Sequence, residues 1–162
     1  MLRVVIIDDN AVTRNLLTTM LVAGGHEVVG DSNTSDAGLA RAIKLRPQLL
    51  CIDIGTDPVR SMEILDLLRA SLPKVLIFIV SANMDPEIVQ GALQRGVHGF
   101  IVKPFKSTTV TAIIRNAILK LARAQTRTVA NQTAEDPISV DQPLLADAAL
   151  RPEDSAVGPS DT

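Results

Sequence analysis

The chain has no tryptophan and no tyrosine, three phenylalanines and one cysteine in 162 residues. A single cysteine excludes an intrachain disulfide framework. Without aromatic platforms, single-stranded nucleic acid has little to stack on, and a net charge of −2 gives no electrostatic pull on a phosphate backbone. No apolar run approaches the roughly 20 residues that span a bilayer. The opening Met1-Leu2-Arg3-Val4-Val5-Ile6-Ile7-Asp8 runs into acids too soon for a secretory leader, so a cytoplasmic protein without membrane contact is expected.

What is present divides unevenly. Residues 1–124 carry 14 Lys+Arg against 11 Asp+Glu, whereas residues 125–162 carry two Arg against seven acids and hold four of the nine prolines. The second stretch buries too little apolar surface to offset its ordering entropy, which predicts a largely disordered tail over 125–162. Within it, Asp141–Leu150 has a capping acid, an early proline and Leu144, Leu145 and Ala148 on one face, the pattern of a short helix or a linker. An acidic tail of 38 residues cannot form a DNA-reading helix-turn-helix with a core, so no direct DNA binding is expected.

The first 124 residues alternate between two periodicities. Strands are predicted at Val4–Asp8, Glu27–Gly30, Leu49–Asp53, Val75–Ser81 and Gly99–Val102. Helices are predicted at Asn10–Ala23, Ser35–Leu45, Val59–Ala70, Glu87–Gln94 and Ser107–Arg123. The first helix would turn Val12, Leu16, Leu17, Met20 and Leu21 inward. Five βα units in strict alternation predict an α/β fold, a parallel sheet with right-handed crossovers and helices on both faces.

Polar residues close the strands. Asp8-Asp9 end the first, Asp53 the third, Ser81 the fourth and Lys103 the fifth. Parallel strands bring these residues to one carboxyl edge, where open α/β sheets bind ligands. Three carboxylates there repel one another and call for a hard cation, and oxygen ligands with room for water suit Mg2+. Lys103 and Ser81 beside a metal would stabilise charge on a phosphoryl group, with Asp53 as its nucleophile. Each residue also has a structural reading: Asp9 as the cap of the first helix, Lys103 as the ion-pair partner of a half-buried Asp53, Ser81 as a turn residue. Cys51, mid-strand, reads as a small buried hydrophobe, and His26 and His98 as boundary residues.

Ile7-Asp8-Asp9-Asn10, Cys51-Ile52-Asp53, Val80-Ser81-Ala82 and Phe100-Ile101-Val102-Lys103-Pro104-Phe105 stand in this order. With them, residues 1–124 resemble the receiver domain of two-component response regulators. The resemblance implies a flavodoxin-like sheet of order 2-1-3-4-5 and Mg2+ held by Asp8, Asp9, Asp53 and the backbone carbonyl of Gly55. It also implies phosphate acceptance on Asp53 from a histidine kinase or phosphotransfer protein, with Lys103 and Ser81 assisting and no enzyme activity beyond self-phosphorylation and self-dephosphorylation. Ser81 and Phe100 would form a switch pair, and the Lys103–Pro104 bond would be cis. The implied output is a downstream protein, met by a stand-alone regulator, with homodimerisation through the fourth helix, fifth strand and fifth helix as a further option. After Asp53 this sequence departs from the family: its proline is shifted by one, and Ser61 replaces the usual glycine, which predicts an altered loop over 55–61. The alternative function is a receiver-like adaptor that works without phosphorylation. A nucleotide-binding enzyme is disfavoured because the turn after the first strand is Asp8-Asp9-Asn10-Ala11, with no glycine-rich phosphate loop.

Overall fold

A computed structural model of the chain describes residues 1–135. The elements alternate as β1 (Arg3–Ile7), α1 (Ala11–Ala23), β2 (Glu27–Ser32), α2 (Asp36–Lys44), β3 (Leu49–Ile52), α3 (Pro58–Ser71), β4 (Leu76–Ser81), α4 (Pro86–Gln94), β5 (Gly99–Val102) and α5 (Ser107–Glu135). The five strands form one sheet in the order β2-β1-β3-β4-β5, parallel throughout. The expected architecture and strand order are therefore observed.

The sheet has two buried faces, which is why its inner strands read as unbroken apolar runs. Val5, Ile7, Leu50, Ile52, Ile77 and Ile79 pack on one side with Leu39 of α2, Ile64, Leu65 and Leu68 of α3, and Ile88 and Ala92 of α4. Val4, Ile6, Leu49, Cys51, Phe78 and Val80 pack on the other with Leu17 and Leu21 of α1 and Val110 and Ile114 of α5. Alternate residues of each strand thus serve opposite layers. Full burial of each such Ile, Leu or Phe contributes about 1.5–3 kcal/mol. Cys51 is a core residue as expected: it has no exposure, and burial pushes its thiol up to about 12, which leaves no reactive thiolate near neutrality. His98 is a boundary residue whose Nδ1 accepts from the backbone of Ile77 at 3.2 Å, stitching β5 to β4.

Two expectations are corrected. On α1 only Leu17 and Leu21 are buried, while Val12 and Leu16 are 74% and 45% exposed, because this helix meets the sheet through a narrower stripe than its apolar count suggested. The last helix does not stop at Arg123. It continues through Glu135, since Ala122, Ala124, Gln125 and Ala130 favour helix and no glycine or proline interrupts before Pro137. By contact density the chain divides at Leu119/Lys120, the first unit being Met1–Leu119. The short helix expected over 141–150 lies outside the described residues.

Candidate phosphoacceptor site

The ends of the strands set the site. The Asp53 amide donates to Ile7 O at 2.9 Å, the Asp8 amide to Ser32 O at 3.0 Å and the Lys103 amide to Ser81 O at 2.9 Å. Each continues the sheet ladder by one residue, so three different strands deliver Asp8, Asp53 and Lys103 to the same edge.

Their side chains meet there. Lys103 Nζ donates to Asp8 Oδ2 at 3.0 Å and to Asp53 Oδ2 at 2.8 Å. Asp8 has a side chain only 4% exposed, which would be costly for a carboxylate without a cation. The second oxygens are held by backbone: Asn10 N–H donates to Asp8 Oδ1 at 2.8 Å, and Gly55 N–H to Asp53 Oδ1 at 2.9 Å. Gly55 has φ +81°, a conformation glycine adopts without a steric cost, and this turns its amide back onto Asp53. Burial pulls the Lys103 ammonium down, but the hydrogen bonds and charges of Asp53 and Asp8 outweigh it, so its pKa is raised overall.

Asp9 stands apart from that trio. Its carboxylate is turned to the loop between β2 and α2, where Thr34 N–H donates to Oδ1 at 2.9 Å and Thr34 Oγ1 lies 2.9 and 3.0 Å from the two oxygens. It is not the cap of α1. Asn10 is, with Oδ1 accepting from Val12 and Thr13 amides, because the helix begins at Ala11, one residue later than expected. Asp8, Asp9, Thr34, Asp53, Gly55 and Arg60 nonetheless line one cleft of about 330 Å³. Its donors are hard oxygens, with no thiol or imidazole, which fits Mg2+ in an open, partly hydrated site. Among the described residues no three carboxylate, imidazole or thiol side chains are placed so that they could hold a metal ion together.

Ser81 is buried at the end of β4, donating to Asn83 O at 2.8 Å and accepting from its amide at 3.2 Å. Phe100, half-buried on β5, lines the same small cavity of about 10 Å³. The Lys103–Pro104 bond is cis. In the loop after Asp53, Ser61 is fully buried and its hydroxyl donates to Ile54 O at 3.1 Å.

Residue reasoning missed three contributors. Arg14 donates to the backbone oxygen of Asp8 at 2.6 Å and to Asp31 at 2.7 Å. Arg60 donates to Asp36 at 2.9 Å on the rim of the cleft. Both arginines sit in the first turn of a helix, where the macrodipole disfavours a cation, and that mismatch was the available signal. Thr34 has no comparable mark in the sequence.

The sequence pattern of the response regulator receiver domain matches residues 4–115. The chain belongs to this family. Receiver domains are the phosphoacceptor modules of two-component systems, and Mg2+ binding is typical of them. This receiver domain is similar to the chemotaxis protein CheY of Thermotoga maritima, 28% identical over 67% of this chain and 90% of that protein. A protein-glutamate methylesterase/protein-glutamine glutaminase of Geobacter sulfurreducens is 30% identical over 67% of this chain but only 29% of its own length. The chain therefore spans nearly all of one relative and under a third of another. Among solved structures, the signal receiver domain of a modulated diguanylate cyclase from Desulfovibrio desulfuricans superposes with TM-score 0.64 at 25% identity, over 74% of this chain and 95% of that one. No helix among the described residues is long and apolar enough to cross a membrane.

Proposed function

We propose that this receiver domain is a stand-alone response regulator: Asp53 accepts a phosphoryl group from a histidine kinase or phosphotransfer protein, with Mg2+ held by Asp8, Asp9, Asp53 and the Gly55 carbonyl. The observation that carries this reading is the shared lysine. Lys103 Nζ reaches both Asp8 and Asp53 within 3.0 Å, so a cation already faces the place where an anionic donor must approach a carboxylate. Asp53 Oδ attacks phosphorus, a P–O bond forms, and the bond to the donor's leaving group breaks with its electron pair. Lys103 then stays with the new phosphoryl oxygens as a point charge. The metal, when bound, neutralises charge on those oxygens. Ser81 is within one residue of the same edge and donates to the phosphoryl group after leaving Asn83. The domain's own part ends at phosphoryl acceptance and loss, and its output is a protein contact through α4, β5 and the first part of α5, the face also open to a second copy. In domain terms this reading assigns receiver function to 1–124 and a tail to 125–162.

The test is labelling by acetyl phosphate with and without Mg2+. Wild type is expected to be labelled only with Mg2+, and Asp53→Asn not at all while remaining folded by circular dichroism. Absence of labelling in wild type under saturating donor would favour the phosphorylation-independent adaptor, for which the atypical loop with Ser61 buried beneath Ile54 is the supporting observation.

A further inference from the structure

The carboxylate of Asp9 is satisfied by one residue, and that residue is built into a rigid loop. Thr34 supplies both its amide and its hydroxyl, and the hydroxyl straddles the two carboxylate oxygens at 2.9 and 3.0 Å. Among the described residues the Thr34 hydroxyl bonds only to Asp9, so it is committed there. The loop carrying it is locked on either side. Asn33 Oδ1 accepts from the Ser35 amide at 3.2 Å and hydroxyl at 2.5 Å, Ser35 caps α2 through the Gly38 amide at 3.0 Å, and buried Ser32 donates to Gly38 O at 3.0 Å. Gly38 has no room for a side chain because Asn33 lies against it. Thr34 therefore cannot follow Asp9 if the carboxylate turns.

We infer that Thr34 is a positioning residue that latches Asp9 to the β2–α2 loop and sets the affinity of the metal site by competing with the cation for that carboxylate. The inference rests on the metal-dependent reading above. An ionised carboxylate offers about four lone-pair positions, and Thr34 engages both oxygens, one of them twice. Asp8 and Asp53 are already drawn together by Lys103 while Asp9 is held by Thr34, so a cation shared by all three carboxylates would require Asp9 to turn inward. Each cation bound then loosens one charge-assisted contact, and the coupling is reciprocal: metal releases Thr34, and holding Thr34 weakens metal. The consequence is a link from the metal site to the start of α2, at the β2 end of the sheet edge, whereas Ser81 lies toward the other end on β4.

The test titrates Mg2+ calorimetrically into full-length wild type, Thr34→Val and Thr34→Ser at constant ionic strength. Valine keeps the β-branched shape and deletes the hydroxyl; serine keeps the hydroxyl. Thr34→Val is expected to bind Mg2+ about three- to tenfold more tightly, the scale of one modest hydrogen bond, and Thr34→Ser to stay within about twofold of wild type. A second readout is independent of affinity: Mg2+ should speed amide exchange at Thr34 in wild type. Equal or weaker binding by Thr34→Val, or a Thr34 amide indifferent to Mg2+, overturns the latch while leaving the metal site standing. No Mg2+ binding by any of the three proteins overturns the metal site itself and the latch with it.

Discussion

Lys103 shows how one residue serves stability and chemistry at once. Its ammonium is the cation facing Asp8, whose side chain is 4% exposed, and Asp53, whose side chain is 25% exposed. Removing one partner of a fully buried pair costs about 3–5 kcal/mol, and the partial exposure of Lys103 and Asp53 reduces that figure. Lys103→Met is therefore expected to lose about 2 kcal/mol at pH 7 by urea unfolding, with Asp8→Asn in the same chain restoring part of the loss. The pH dependence has a definite sign. The folded-state pKa of Lys103 lies above its ordinary value of 10.5, despite the opposing effect of burial, because the hydrogen bonds and charges of Asp53 and Asp8 prevail. Its stabilisation is then fully present below that ordinary value and lost as pH rises through the folded one. Above about pH 10 wild type should lose stability more steeply than Lys103→Met, which keeps only the alkaline loss that buried Cys51 gives both proteins. Equal alkaline slopes in the two proteins would mean that the pair contributes nothing to folding.

At the scale of elements, what was legible in the sequence was whatever repeats or terminates. The runs Val4–Ile7 and Leu49–Ile52 announce strands buried on both faces, and the polar residues that follow them are the site. Strand direction alone then brings Asp8, Asp53 and Lys103 together, so three residues far apart in the chain could be placed at one edge before any side chain was seen. The position of Asp9 could not be read in this way. Its orientation depends on Thr34, a contact between loops 25 residues apart that follows from no periodicity. The stripe on α1 was misjudged for a related reason: apolar spacing shows which face of a helix is inward, but not how wide the contact with the sheet is. Packing between elements makes its own test. An alanine at Gly38 would gain about 1 kcal/mol of helix propensity, yet its Cβ would overlap the Asn33 backbone carbonyl, which cannot yield without moving the loop. At Gly91 the added Cβ would lie 2.5 Å from Met62 Sδ, the end of a flexible side chain. Gly38→Ala is expected to lower stability by at least about 2 kcal/mol and Gly91→Ala by less than about 1 kcal/mol in thermal melts. Similar losses at both positions would show that the β2–α2 loop is not the rigid support assigned to it.

On the scale of the whole receiver domain, the question is how a charge arriving at one sheet edge reaches a protein-binding face. Phosphorylation would replace the single negative charge of Asp53 with about −1.5 to −2 on the acyl phosphate, a net gain of at most about one charge, and set several strong acceptors beside Lys103 and Ser81. In the structure the Ser81 hydroxyl is occupied within its own loop by Asn83, at 2.8 and 3.2 Å, so donation to phosphate requires those contacts to open. Phe100 cannot move inward first, because the cavity it shares with Ser81 holds only about 10 Å³. The order follows: Ser81 shifts, the space beneath the β4–α4 loop enlarges, and Phe100 buries more of its ring, which favours the new state by apolar burial alone since the ring carries no hydroxyl. Such a transition is a two-state equilibrium that phosphate can bias only by its differential affinity for the two states. Ser81→Ala removes the donor that supplies that difference but leaves Asp53 and Lys103 in place. It should therefore still accept phosphate from acetyl phosphate and transmit it poorly. Amide exchange over residues 86–119, compared with and without the phosphate mimic beryllofluoride, is expected to change in wild type and to change far less in Ser81→Ala. A full response in the variant would take Ser81 out of the mechanism, and no response in wild type would take away the α4–β5–α5 face as the output.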